Sequence, residues 1–190
     1  MRIMETDEKK LKMMATIGMR ASFGLSCLDF IKQFPDIMIL TSDVSTSAGL
    51  DRFRKQFTSN YLDVGISEQN LIGIATGLSS ENFKVITTTF APFQTLRCCE
   101  QIKVNLGYMK SKVLLVGLAS GLNLGNLGFT HCSIEDIGVI LAIPGINVIS
   151  PADGLETYKA INECLKSENS SYVRLTGKAP CPQIYDKDYK

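Results

Sequence analysis

A chain of 190 residues is long enough for one well-buried domain and too short for two of ordinary size, so a single globular domain is expected. Its 20 Lys and Arg residues against 19 Asp and Glu give a net charge of +1, and the basic residues are scattered, which excludes the concentrated positive surface of a nucleic-acid or anionic-membrane binder. The longest apolar runs, such as Val113 to Val116, have only strand length, and the polar start lacks the apolar stretch of a secretory signal, so no membrane span and a cytoplasmic address are expected.

Strand-like and helix-like runs alternate along the chain, the mark of a doubly wound parallel α/β sheet with helices on both faces. A helix around Met19 to Gln33 stops before Pro35, and Asp36 to Ser42 reads as the first strand. The polar stretch Ser45 to Asn60 follows, then an apolar, glycine-punctuated helix that opens at Glu68. Lys84 to Thr88 is a second strand, Pro92 to Leu106 one long helix, and Lys112 to Gly117 a third strand. Leu118 to Thr130 is rich in glycine and asparagine and is expected to be a functional loop. A helix over Ile134 to Ala142 stops at Pro144-Gly145; Asn147 to Ser150 is a strand, Gly154 to Ser167 a helix, and Tyr172 to Leu175 the closing strand. The folded core is expected over about 12–178, with loosely held ends before about Asp7 and after about Pro180.

The cysteines at 27, 98, 99, 132, 164 and 181 lie mostly within apolar elements and lack metal-site spacing, so reduced thiols and no metal centre are expected. Glu68 is the most informative single residue. In the first turn of its helix the dipole favours its anion while burial opposes it, which makes a tunable proton site. A solvent-facing first-turn acid or a capping-box partner are the plainer alternatives. Gly65, Gly73 and Gly77 are expected to let neighbouring backbones approach.

Four motifs in order carry a resemblance: Gly65-Ile-Ser-Glu-Gln-Asn, Val85-Ile-Thr-Thr-Thr-Phe-Ala-Pro-Phe-Gln, Gly128-Phe-Thr-His-Cys-Ser-Ile-Glu-Asp and Ile143-Pro-Gly-Ile-Asn-Val-Ile-Ser-Pro-Ala-Asp153. Together they resemble the pyrimidine-binding domain of the transketolase family of thiamine diphosphate enzymes, over nearly the whole chain. The resemblance implies that Glu68 hydrogen-bonds N1′ of the cofactor's aminopyrimidine, favouring the imino tautomer whose 4′ nitrogen takes the C2 proton. It places Phe90 and Phe93 where aromatics stack on the aminopyrimidine, with Phe93 favoured, although core packing suits their spacing equally. Asp43 matches an aspartate near the thiazolium, or caps the next turn with its side chain. His131, the only histidine in the sequence, matches one that contacts the donor's oxygens. Glu135 and Asp136 behind it read as first-turn charges of the next helix.

Arg20 and Ser47 match phosphate-side positions for substrate, but the rest of that clamp departs from the family. Leu127 stands for an aspartate, Ala119 for a histidine, and Gly177, with Lys178 beside it, for an arginine. This implies an altered or non-phosphorylated substrate. The family's Gly-Asp-Gly, which with a downstream asparagine binds diphosphate and Mg²⁺, does not occur in the sequence. The expectation is therefore the pyrimidine-binding half of a split transketolase, inactive alone and assembled as two copies each of this chain and a separate diphosphate-binding subunit that carries Mg²⁺. A subunit of a 2-oxoacid decarboxylase or dehydrogenase, a deoxyxylulose phosphate synthase relative and a non-catalytic interaction module are the alternatives.

Overall fold

The computed structural model describes residues 8–177, 180–186, 188 and 189. In chain order the elements are α1 (Glu8–Gln33), β1 (Ile37–Thr41), α2 (Asp51–Gln56), β2 (Tyr61–Asp63), α3 (Glu68–Ser80), β3 (Lys84–Phe90), α4 (Ala91–Gln94), α5 (Cys99–Gln101) running into a π-helix (Ile102–Tyr108), β4 (Val113–Leu118), α6 (Asp136–Leu141), β5 (Ile146–Ile149), α7 (Gly154–Lys166) and β6 (Ser170–Arg174). The strands form one sheet in the order β2-β1-β3-β4-β6-β5, and every neighbouring pair is parallel.

Two apolar layers explain why the sheet is covered on both sides. Ile37 and Ile39 of β1, Ile86 of β3 and Leu114 and Val116 of β4 face one core with Phe23, Cys27 and Phe30 of α1 and Tyr158 and Ile161 of α7. Leu40, Val85, Val113 and Leu115, their neighbours in sequence, face the other core with Leu71, Ile72 and Ala75 of α3 and Ile102 and Leu106 of the π-helix. Successive strand side chains point to opposite faces, so a strand buried on both reads as a continuous apolar run. The chain leaves β1 outward to β2 and then crosses to β3 on β1's other side. That reversal makes the carboxyl ends of β1 and β3 a switch point, where open α/β sheets bind ligands.

Four local expectations need correction. The expected helix from Met19 to Gln33 forms, but an unexpected helical segment from Glu8 precedes it in α1, the two parted at Gly18 with φ 78° and ψ 172°; only glycine adopts that conformation at little cost. The expected single helix from Pro92 to Leu106 is interrupted at Thr95 to Cys98: the Thr95 hydroxyl donates back to the Ala91 carbonyl and the Cys98 thiol to that of Phe93. Strand β2 falls in the stretch expected to be irregular. It has three residues at the sheet edge and exists through parallel pairing with β1. The expected loose start before Asp7 lies outside the described residues, but Ile184 and Tyr185 beyond Pro180 are tied down, because Asp153 caps α7 with one carboxylate oxygen and accepts their N–H groups, each at 2.8 Å, with the other. Cys181 N–H also donates to the Ala15 carbonyl at 2.7 Å.

Candidate functional site

The loop that delivers Glu68 is fixed by Asp63 at the end of β2. One carboxylate oxygen accepts the N–H groups of Asp43 at 2.9 Å and Gly65 at 3.0 Å; the other accepts the Thr41 hydroxyl at 2.8 Å. Burial works against ionisation of Asp63, but these N–H and hydroxyl donors outweigh it and hold the carboxyl below its ordinary range. Ser42 Oγ donates to the Gly65 carbonyl and accepts the Ser67 N–H at 3.0 Å. Gly65 turns the chain at φ +71°. Helix α3 then opens at Glu68, which is only 4% exposed. Ser67 spends its hydroxyl on the Val64 carbonyl and forms no side-chain cap, so Glu68 is neither solvent-facing nor part of a capping box.

The Glu68 carboxylate meets a cation that sequence reading missed. Arg97 Nη1 donates to Glu68 Oε2 at 2.8 Å, and its guanidinium carbon lies 3.9 Å from the centre of the Phe93 ring. Gln69 Nε2 holds the Arg97 carbonyl at 3.0 Å. No helical spacing signals it, because Arg97 lies in the break between α4 and α5, four residues after Phe93. His131 packs edge-on to Phe93 at 5.2 Å and to Phe90 at 6.3 Å, and the two phenylalanine rings lie 6.3 Å apart, also edge to face. The glycine-rich loop brings His131 there because Gly121 and Ser133 exchange backbone hydrogen bonds of 2.7 and 2.9 Å that close its base. Thr130 Oγ1 lies 2.9 Å from His131 Nδ1. Beside this cluster the Cys98 thiol is pushed up to about 12 by burial, with the Glu68 charge adding and the Arg97 charge opposing. It is a neutral packing group at pH 7.

Glu68, Phe90, Phe93 and His131 are thus brought together. Asp43 stands apart at the end of β1, exposed and in the left-handed region at φ 55°, its N–H tied to Asp63. Arg20 and Ser47 line a separate cavity of about 280 Å³ with Gly18, Thr46, Gly49 and Gly177. Ala119 is buried at φ 55° directly after β4, and Leu127 ends an exposed 3₁₀ turn. Lys178 lies outside the described residues. Asp136 stands in the first turn of α6 as expected, with Glu135 at the N-cap, but it is fully buried, with Tyr172 and Arg174 as donors. All six cysteines are free. Among the described residues no group of three or more His, Cys, Asp or Glu is placed to hold a metal ion, and no helix is long and apolar enough to cross a membrane.

The family profile described as transketolase, pyrimidine binding domain, matches residues 15–181. The chain belongs to that family. It is 35% identical over 172 residues to an apulose-4-phosphate transketolase subunit of Phocaeicola vulgatus, covering 90% of this chain and 55% of the relative. To a putative transketolase C-terminal section of Methanocaldococcus jannaschii it is 32% identical over 158 residues, covering 83% of this chain and 50% of the relative. A solved structure described as a split gene transketolase, inactive beta4 tetramer, superposes with a TM-score of 0.81 at 30% identity, over 92% of this chain and 56% of that one. The chain spans about half the length of these relatives.

Proposed function

We propose that this pyrimidine-binding domain works as one subunit of a split transketolase, activating thiamine diphosphate for two-carbon ketol transfer between sugars together with a separate diphosphate-binding subunit. The observation that carries the reading is the buried Glu68 carboxylate, which accepts a hydrogen bond from a planar group lying on the Phe93 face. A site of that form fits an aminopyrimidine ring: one carboxylate for a ring nitrogen, one aromatic face for stacking.

When bound, thiamine diphosphate supplies the acidic thiazolium carbon of ketol-transfer chemistry. Glu68 holds a proton at the pyrimidine nitrogen, Phe93 sets the ring plane with Phe90 edge-on to Phe93, and His131, at the edge of both, binds the donor's oxygens. Asp43, at the end of β1 and apart from this cluster, would face the thiazolium. Arg20 and Ser47 bind the distal end of the substrate, whose phosphate clamp lacks its arginine at Gly177, so the acceptor is an altered or non-phosphorylated sugar. The diphosphate and its Mg²⁺ belong to the partner, in a cytoplasmic assembly of two copies of each subunit that serves carbohydrate metabolism. The likeness to one subunit of a transketolase and to a transketolase C-terminal section supports the division, as do the exposed Ile66, Leu122, Leu127 and Phe129 at the strand ends, Phe129 being 90% exposed.

The test is Glu68→Gln in the complex with the partner subunit. Turnover is expected to fall at least about 10²-fold, as for loss of a general acid–base group, with assembly intact by light scattering. Full activity in an assembled variant would refute the assignment.

A further inference from the structure

We infer that Arg97 is a built-in stand-in for the aminopyrimidine: its guanidinium occupies the ring's place between Glu68 and Phe93 and swings out when the cofactor ring arrives. The inference rests on the cofactor reading above and adds to it a residue that sets how tightly the ring binds.

Three features of the geometry point this way. The first is contact identity. The guanidinium is flat, donates to Glu68 Oε2 at 2.8 Å and lies 3.9 Å from the Phe93 ring centre, so it makes both contacts that a ring at this site needs. The Phe93 face and the Glu68 oxygen that it uses cannot serve the ring at the same time. The second is need. Glu68 is 4% exposed, and a carboxylate buried to that degree without a partner carries a large desolvation penalty, which a paired arginine removes. The third is freedom to leave. The Arg97 side chain is 42% exposed although its partner is buried, so its head group can move into water without crossing packed protein. Its backbone stays in place, because Gln69 holds the Arg97 carbonyl at 3.0 Å.

This predicts competition, and the sign of the effect separates it from a supporting role. If the guanidinium fills the site about 90% of the time, the cofactor's apparent affinity is reduced about tenfold, and removing the guanidinium restores it. A residue that merely supports Glu68 would do the opposite, since its loss would weaken binding.

The experiment is calorimetric titration of the complete complex, this chain with its diphosphate-binding partner, with thiamine diphosphate at fixed Mg²⁺. Wild type is compared with Arg97→Met, which keeps the apolar stem, and with Arg97→Lys, which keeps the charge but lacks the flat fork. Arg97→Met is expected to bind about three- to tenfold more tightly, on the same occupancy argument, and Arg97→Lys to gain less. Should Arg97→Met fail to assemble, Arg97→Lys alone decides, tighter binding supporting the inference. Unchanged or weaker binding in the assembled variants overturns it while leaving the cofactor reading standing. A wild-type complex that binds no thiamine diphosphate overturns both.

Discussion

Replacing Asp136 by alanine should be among the most damaging single changes in the chain, even though the residue lies outside the proposed chemistry. Asp136 opens α6, is fully buried, and accepts hydrogen bonds from Tyr172 Oη at 2.7 Å and from Arg174 Nε and Nη2 at 2.9 and 3.3 Å. Burial, and secondarily the Asp136 charge, push the Tyr172 phenol well above its ordinary range, so it stays protonated and remains a donor. Removing the carboxylate leaves a guanidinium only 13% exposed and a buried phenol without their acceptor. Breaking a buried pair from one side costs about 3–5 kcal/mol. With a urea dependence of about 2–3 kcal/mol/M for a domain of this size, the midpoint should fall by about 1–2.5 M. Arg174→Met should cost a similar amount because it strands the carboxylate. The double variant should cost at least about 2 kcal/mol less than the sum, since removing both partners avoids the stranded charge. Urea unfolding of the full chain followed by circular dichroism measures all three. A loss below about 1 kcal/mol for Asp136→Ala, or strict additivity in the double variant, would show that this pair does not tie α6 to β6 as argued.

Two further perturbations test the supports of the site. In Gly24→Ala the new Cβ would sit 2.2 Å from the Gly49 carbonyl oxygen and 2.7 Å from that of Ala48, both backbone atoms, so the cost of overpacking, about 1–3 kcal/mol, should exceed the roughly 1 kcal/mol gained in helix propensity; a urea midpoint above wild type contradicts this. Asp63 is held below its ordinary carboxyl range, so its contribution is fully present above its unfolded value near ~3.9 and is lost as pH falls through the lower folded value. Asp63→Asn should therefore flatten the acid limb of a urea-midpoint profile taken from about pH 3 to 7, by less than about 1 kcal/mol given solvent screening, and parallel wild-type and variant profiles would rule the role out.

The architecture was readable in the sequence because its strands are buried on both faces. Val113 to Val116 admits no polar residue, and Pro35 and Pro144-Gly145 mark where helices must stop. What could not be read depends on contacts distant in sequence. Strand β2 shows no burial alternation of its own and forms through pairing with β1. The acid of α6 looks like any first-turn charge until Tyr172 and Arg174, more than thirty residues later, arrive beneath it. Within the site, Glu68, Phe90, Phe93 and His131 could be found through motif order. Arg97 could not, because an exposed arginine ordinarily belongs to a solvated face. Only the break at Thr95 to Cys98 and the burial of Glu68 give it a partner.

Gly73 and Gly77 of helix α3 meet no contact among the described residues that accounts for them. Gly65, Gly73 and Gly77 were expected to let backbones approach, yet among the described residues nothing beyond their chain neighbours and the surrounding helix backbone lies within 4 Å of a Cβ built at any of them. Gly65 is accounted for by its positive φ; Gly73 and Gly77 are helical and have no such reason. An exposed helical glycine costs about 0.8–1 kcal/mol relative to alanine, so the pair weakens the very helix that presents Glu68 with no compensating contact inside the domain. The buried face of α3 is accounted for by Leu71, Ile72 and Ala75 against the sheet. The opposite face carries no side chain at 73 and 77.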